Sequence, residues 1–123
     1  MKVINEYKDE FCISTEKTKL DIDTIHEFLS TKAYWSINIP KEKVLTSIQH
    51  SLCFGVYEDK KQIGFARIIT DYSTIAYLGD VYILEKYRGK GLSKWLISTI
   101  MDFPSLQGLR RWILLTGDAH ELY

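Results

Sequence analysis

The sequence predicts an α+β (mixed α/β) domain built on a central, mostly antiparallel sheet flanked by helices. Three observations point there. Between Leu52 and Leu84 the chain passes through three β-branched and aromatic runs separated by short polar turns, the pattern of consecutive antiparallel strands. From Leu92 to Phe103, positions Leu92, Trp95, Leu96, Thr99, Ile100 and Phe103 recur at helical spacing, and Pro104 ends the run. The apolar segment Trp112 to Leu115 follows that helix. A strand–helix–strand crossover of this kind makes its two strands parallel, so the fourth and fifth strands, Thr74–Leu84 and Trp112–Leu115, should form a parallel pair.

Taken in order, Phe11 to Ser14 is a short strand candidate followed by a polar turn, Thr15 to Lys19. Asp21 or Asp23 can cap a helix running to Ser30, with Ile22, Ile25, His26, Phe28 and Leu29 on its inner side. Thr31 to Pro40 holds Tyr34, Trp35, Ile37 and Ile39 without either periodicity and reads as a loop carrying aromatics. Pro40 precedes a helix from Lys41 to about Gln49, striped by Val44, Leu45 and Ile48. Strands over Leu52–Tyr57 and Gln62–Thr70 form a hairpin across Glu58-Asp59-Lys60-Lys61, and Asp71-Tyr72-Ser73 turns the chain into the strand from Thr74. At the far end Asp118-Ala119-His120-Glu121 reads as a helix N-cap with Glu at its third position.

At 123 residues the chain suits a single domain over 1–123. Lys plus Arg and Asp plus Glu are 16 each, so the net charge is zero, which argues against a dedicated nucleic-acid or anionic-membrane binder. Two cysteines, Cys12 and Cys53, supply neither a disulfide framework nor a four-thiolate zinc site. His26, His50 and His120 are scattered without ligand-spaced partners, so no metal site is expected. No signal-peptide pattern or run of ~18 apolar residues is present, which makes a cytoplasmic protein the expectation.

The chemistry concentrates in Tyr87-Arg88-Gly89-Lys90-Gly91-Leu92-Ser93-Lys94, between a strong strand and a strong helix. Glycines there let backbone approach a ligand, and the unpaired amides of a helix's first turn suit an anion such as phosphate. Lys86, Arg88, Lys90 and Lys94 add four cations. A Walker A loop, G-x-x-x-x-G-K-S/T, does not fit. A dinucleotide G-x-G-x-x-G fingerprint would need Gly where Lys94 stands and an acid about 20 residues on, where Arg110-Arg111 lies. The bare alternative is a strand-to-helix turn that uses glycine for geometry alone.

This segment and its setting resemble the GCN5-related N-acetyltransferase family, whose acetyl-CoA motif Q/R-x-x-G-x-G/A falls between the fourth strand and the third helix. Here the motif reads Arg88-Gly89-Lys90-Gly91-Leu92-Ser93, after Val81-Tyr82-Ile83-Leu84-Glu85-Lys86-Tyr87. The element order along most of the chain also matches. Ser93 replaces the last Gly or Ala, and Glu85 stands where many relatives have Pro. The resemblance implies acetyl-CoA as co-substrate, its pyrophosphate on the amides of Arg88, Gly89, Lys90, Gly91, Leu92 and Ser93. It implies the pantetheine arm along the backbone of Val81, Tyr82 and Ile83, and direct transfer to a primary amine in a ternary complex without an acyl-enzyme. Tyr123 matches the tyrosine that protonates the departing thiolate, the alternative being that it packs against cofactor or core. Asp80 is the candidate base for the amine, or else a structural carboxylate at the strand. Tyr34 and Trp35 lie in the region that covers the acceptor, where they would line its slot or anchor the loop. Cys12 and Cys53 are not assigned as nucleophiles, and Glu58, Asp59 and Asp71 are read as turn residues.

Relatives continue past Tyr123 with the rest of a helix and two further strands, so the resemblance implies a C-terminally shortened chain. Its Trp112–Leu115 strand would be left as an apolar edge that a second copy could cover in a homodimer. Two other functions remain open: a non-catalytic CoA-binding or interaction domain, and, more distantly, a polyphosphate or nucleic-acid binder using the Lys86–Lys94 cluster.

Overall fold

The structure is a computed structural model that describes residues 1–114. Leu115, the helix expected from Asp118 and the proposed proton donor Tyr123 lie outside the described residues. One six-stranded sheet contains β1 (Asn5–Lys8), β2 (Phe11–Ser14), β3 (Leu52–Glu58), β4 (Lys61–Thr70), β5 (Ile75–Ile83) and β6 (Arg111–Leu114), side by side in chain order. Neighbours are antiparallel except β5 and β6, which run parallel with Ile75 opposite Arg111 and Leu78 opposite Leu114. The mostly antiparallel sheet with one parallel pair is therefore the observed architecture.

Helices cover both faces. α1 (Ile22–Thr31) and α2 (Lys41–Gln49) pack on one side, and α3 (Leu92–Met101) on the other. Strand alternation decides which side chain meets which layer. In β3, Leu52, Phe54 and Val56 face α3, where they meet Leu92, Leu96 and Ile100, while Cys53 faces Val44 and Ile48 of α2. Asp21 caps α1, its carboxylate accepting from the Thr24 amide at 3.1 Å. Asp71 organises the turn before β5 by accepting from the Thr74 hydroxyl and from the amides of Thr74, Ser73 and Ile75, which holds its carboxyl well below the usual carboxylate range.

Two features depart from the sequence-based expectation. β1 is an added strand, joined to β2 by a tight turn at Asp9 and Glu10 with Asp9 at φ 54°. All four of its residues are exposed, so it has no apolar face and carries no alternation to read. The second departure lies inside β5. Phe65 pairs with Tyr82 but Arg67 with Gly79, so β5 bulges across Asp80 and Val81, with Asp80 at φ 51°.

Gln62, buried on β4, joins the helical layer to the sheet. Its carbonyl oxygen accepts from the Asp21 amide at 2.7 Å, and its amide nitrogen donates to the Gly64 carbonyl at 3.1 Å. Gln62→Leu keeps the volume and strands both partners. It should lower the unfolding free energy by about 1–3 kcal/mol, read as a reduced urea midpoint at unchanged slope.

Candidate functional site

Two anchors shape the glycine loop. After β5 the chain makes a 3-10 turn, Glu85–Tyr87, and buries Tyr87. The Tyr87 ring meets Phe11 edge-on with centroids 6.5 Å apart, and its hydroxyl donates to Glu58 Oε1 at 3.0 Å. Glu58, expected only as a turn residue, thus ends β3 as the acceptor that fixes this loop. Arg88 then folds back, Nε donating to the Ile83 carbonyl at 2.9 Å. Beyond it Gly89 and Gly91 have φ of 81° and 78°, the left-handed region that L side chains avoid. A Cβ at either would meet nothing within 4 Å.

Open space therefore lies in front of the first turn of α3, whose N-cap is Gly91 with no side-chain cap bond. First-turn amides without an internal partner, at the positive end of the helix dipole, suit an anion. Leu92 buries its side chain in the core and can offer only its amide, Ser93 is half-buried, and Lys90 and Lys94 are exposed. A cleft of about 740 Å³ opens beside the loop, lined by Phe28, Lys32, Leu84, Glu85, Lys86 and Arg88. Its three cations face one carboxylate. Lys32, at the C-cap of α1, joins this cluster only through the fold.

The adjoining end of β5 presents backbone rather than side chains. Val81, Tyr82 and Ile83 are buried, and Tyr82 stacks on Phe28 of α1 with centroids 3.8 Å apart and planes 12° apart. The Tyr82 and Tyr57 hydroxyls are buried and reach no partner, and burial raises both phenols well above the ordinary range. Among the described residues β6 pairs with β5 from Ile75 to Leu78. Among the described residues nothing pairs with Val81–Ile83 on the side away from β4.

On the face of α1 and α2, Asp80 binds through both oxygens. Oδ2 accepts from Arg67 Nε at 2.7 Å, and Oδ1 accepts from Trp35 Nε1 at 3.0 Å. Arg67 Nη1 also donates to Ser51 Oγ at 3.2 Å. The fold thus brings together two of the expected site residues, Asp80 and Trp35, with Arg67 between strands as the charged partner that the sequence analysis did not select. Tyr34 stands exposed, its ring edge-on to Trp35 at 5.3 Å. The loop bearing both is tied to α1: Ser36 Oγ donates to the Leu29 carbonyl at 2.7 Å, the Asn38 amide to the Ser30 carbonyl at 2.9 Å, and His26 Nε2 lies 2.9 Å from the Ile39 carbonyl oxygen.

Cys53 is buried, and burial pushes its thiol up to about 11. A raised thiol stays protonated at pH 8, which leaves little of the thiolate nucleophile. Among the described residues no three His, Cys, Asp or Glu side chains are grouped to hold a metal, and no helix is long and apolar enough to cross a membrane. Iodoacetamide at pH 8 should leave Cys53 unmodified in the folded protein and label it after denaturation, as followed by peptide mass spectrometry.

Comparison with known proteins agrees with this fold. Residues 22–123 match the model of the acetyltransferase (GNAT) family. A Gibberella zeae protein provisionally named an acetyltransferase is 31% identical, over 97% of this chain and 78% of its own length. A crystal structure from Xanthomonas campestris pv. campestris, provisionally a GNAT acetyltransferase, is 50% identical with a TM-score of 0.89, covering 94% of this chain and 81% of that one. A GNAT acetyltransferase from Elizabethkingia anophelis, solved with acetyl-CoA bound, shares the fold at a TM-score of 0.56 and 15% identity, covering 76% of this chain and 57% of that one. On the family match and these two closer likenesses, the chain belongs to the GNAT family of acetyltransferases.

Proposed function

We propose that this protein is an N-acetyltransferase that takes its acetyl group from acetyl-CoA and delivers it to a primary amine within a ternary complex. The observation that carries the reading is the open space before Gly89 and Gly91 at the uncapped start of α3. Beside it runs the length of β5, Val81 to Ile83, with which no residue among the described ones pairs on the side away from β4. A pyrophosphate needs the first, and an extended chain of amides needs the second. The acetyl-CoA-bound relative supports the choice of ligand.

Acetyl-CoA supplies the acetyl thioester. The amides from Gly89 to Ser93 receive the phosphates, with Lys90 and Lys94 adding charge from the rim. Val81, Tyr82 and Ile83 offer backbone donors and acceptors to the amide arm. A backbone N–H there can also hydrogen-bond the carbonyl oxygen as negative charge gathers on it, a stabilisation worth more in a dry site than in water. Tyr123 gives its hydroxyl proton to the departing sulfur. A phenol of pKa ~10 stays protonated at neutral pH and so keeps that proton until it is needed. Tyr34 and Trp35 border the acceptor, and no cysteine carries the acetyl group.

Gly91→Val is the direct test of the phosphate site. No neighbour is struck by the added side chain, so the fold should survive the left-handed penalty of about 1–2 kcal/mol, while CoA binding in calorimetry is abolished. Unchanged CoA affinity would remove the site from the loop. Turnover is tested by thiol release and mass-detected acetylation across amines, amino acids, polyamines and peptides; CoA binding without transfer to any of them would mark a non-catalytic CoA-binding module instead. Tyr123→Phe should preserve acetyl-CoA affinity and lower turnover by roughly 10²–10⁴-fold, the span of a lost general acid.

A further inference from the structure

Arg67 is a cation in the middle of a strand otherwise apolar from Ile63 to Ile69. Its side chain is only 17% exposed and its partner Asp80 14%. Partly desolvated charges of this kind persist where they are paired and hydrogen-bonded, and removing one partner leaves the other uncompensated. The pair is therefore a fixed part of the site.

What it fixes is visible in its other bonds. Asp80 sits at φ 51° in the bulge of β5. Bulges re-aim side chains and end pairing next to active sites, and this one turns the Asp80 carboxylate toward the loop between α1 and α2. There it accepts the Trp35 indole N–H. Through Arg67 the same carboxylate reaches Ser51, at the start of β3. A base for an incoming amine needs an oxygen facing the substrate, whereas both oxygens here are turned to protein donors, Arg67 and Trp35, that orient the carboxylate. Protonating Asp80 would also leave Arg67 without its counter-charge.

We propose that Asp80, Arg67 and Trp35 form a positioning unit for the acceptor. The bulged carboxylate, oriented by Arg67, holds the Trp35 loop against the strand whose Val81–Ile83 backbone faces the cofactor. The indole then sets where the amine-bearing substrate lies, and Asp80 acts through Trp35 rather than on the amine. This assignment rests on the acetyl-transfer reading above.

The experiment combines kinetics with a readout that needs no activity. Asp80→Asn and Trp35→Phe should each raise the KM for the amine about tenfold, the worth of one lost polar contact, with kcat and the KM for acetyl-CoA changed less than about threefold. Because Asp80, ordered by Arg67, acts through Trp35, the double variant should also sit at about tenfold rather than the about hundredfold of independent sites. The acidic limb of the kcat/KM profile should persist in Asp80→Asn. Arg67→Lys should retain more of the amine affinity than Arg67→Met. In the protein without ligands, exchange of the Trp35 indole proton followed by NMR should be slow in the native chain and fast in Asp80→Ala.

Multiplying effects in the double variant, or indole exchange indifferent to Asp80, would overturn the unit. So would a loss of kcat of roughly 10²–10⁴-fold in Asp80→Asn with disappearance of the acidic limb, which is the signature of a base. If Asp80→Asn does not fold, the Arg67→Lys and Trp35→Phe pair carries the same cycle. A native chain that acetylates no amine sinks the acetyl-transfer reading alone, and the indole exchange still decides whether Asp80 holds the loop.

Discussion

The bulge at Asp80 is the constraint on which the rest of the site depends. Upstream of it, β5 runs in register with β4 and lies against β6; downstream, Tyr82 faces Phe65 one residue out of the earlier register. That shift brings the Tyr82 ring onto Phe28 of α1. It also delivers Ile83 to the point where its carbonyl accepts the Arg88 side chain. A flat strand would keep Val81 to Ile83 in the ladder's first register and aim the glycine loop elsewhere. An aspartate at positive φ tolerates the strain better than most L residues because its short polar side chain can bond locally, and here Arg67 supplies the compensating charge.

Much of this was legible in the sequence because each element carried its own period. The Asp21 cap, the stripes of α1, α2 and α3, and the alternating runs of β3 and β4 reflect which side of an element meets the core. The glycine loop was legible for a different reason: Gly89 and Gly91 occupy positions whose positive φ favours glycine over L side chains. β1 was not legible, because a strand exposed along its whole length has no reason to alternate. The bulge was hidden inside an apolar run, although Gly79-Asp80 breaks that run with a small and a charged residue.

Arg67 shows why local reading ends where it does. A guanidinium within an apolar strand signals that some carboxylate must come to meet it, since desolvating a charge alone is costly. Which carboxylate does so is decided by strand register and by a bulge, both of them properties of pairing rather than of the strand itself. The Trp35 indole adds a third segment, 45 residues from Asp80. No periodicity within 32–40 could foretell that bond, whereas the local ties of Ser36 and Asn38 back to α1 lie within one loop.

The charges divide the proposed site into two kinds of surface. Beside the glycine loop, Lys86, Lys90 and Lys94 are exposed, and among the described residues none forms an ion pair with a carboxylate. Their field reaches into solvent and is screened over about 8–10 Å at ordinary salt. Against the Trp35 indole, Arg67 is matched at 2.7 Å by the Asp80 carboxylate, so the two fields nearly cancel a few ångströms away. A neutral chain can therefore still attract a polyanion to one end of β5. At Asp80, three residues before that end, long-range charge has little to contribute. Selection there falls to short-range contacts, the indole edge, the Tyr34 ring and the hydrogen bonds that hold them, which act only once a ligand is already in place.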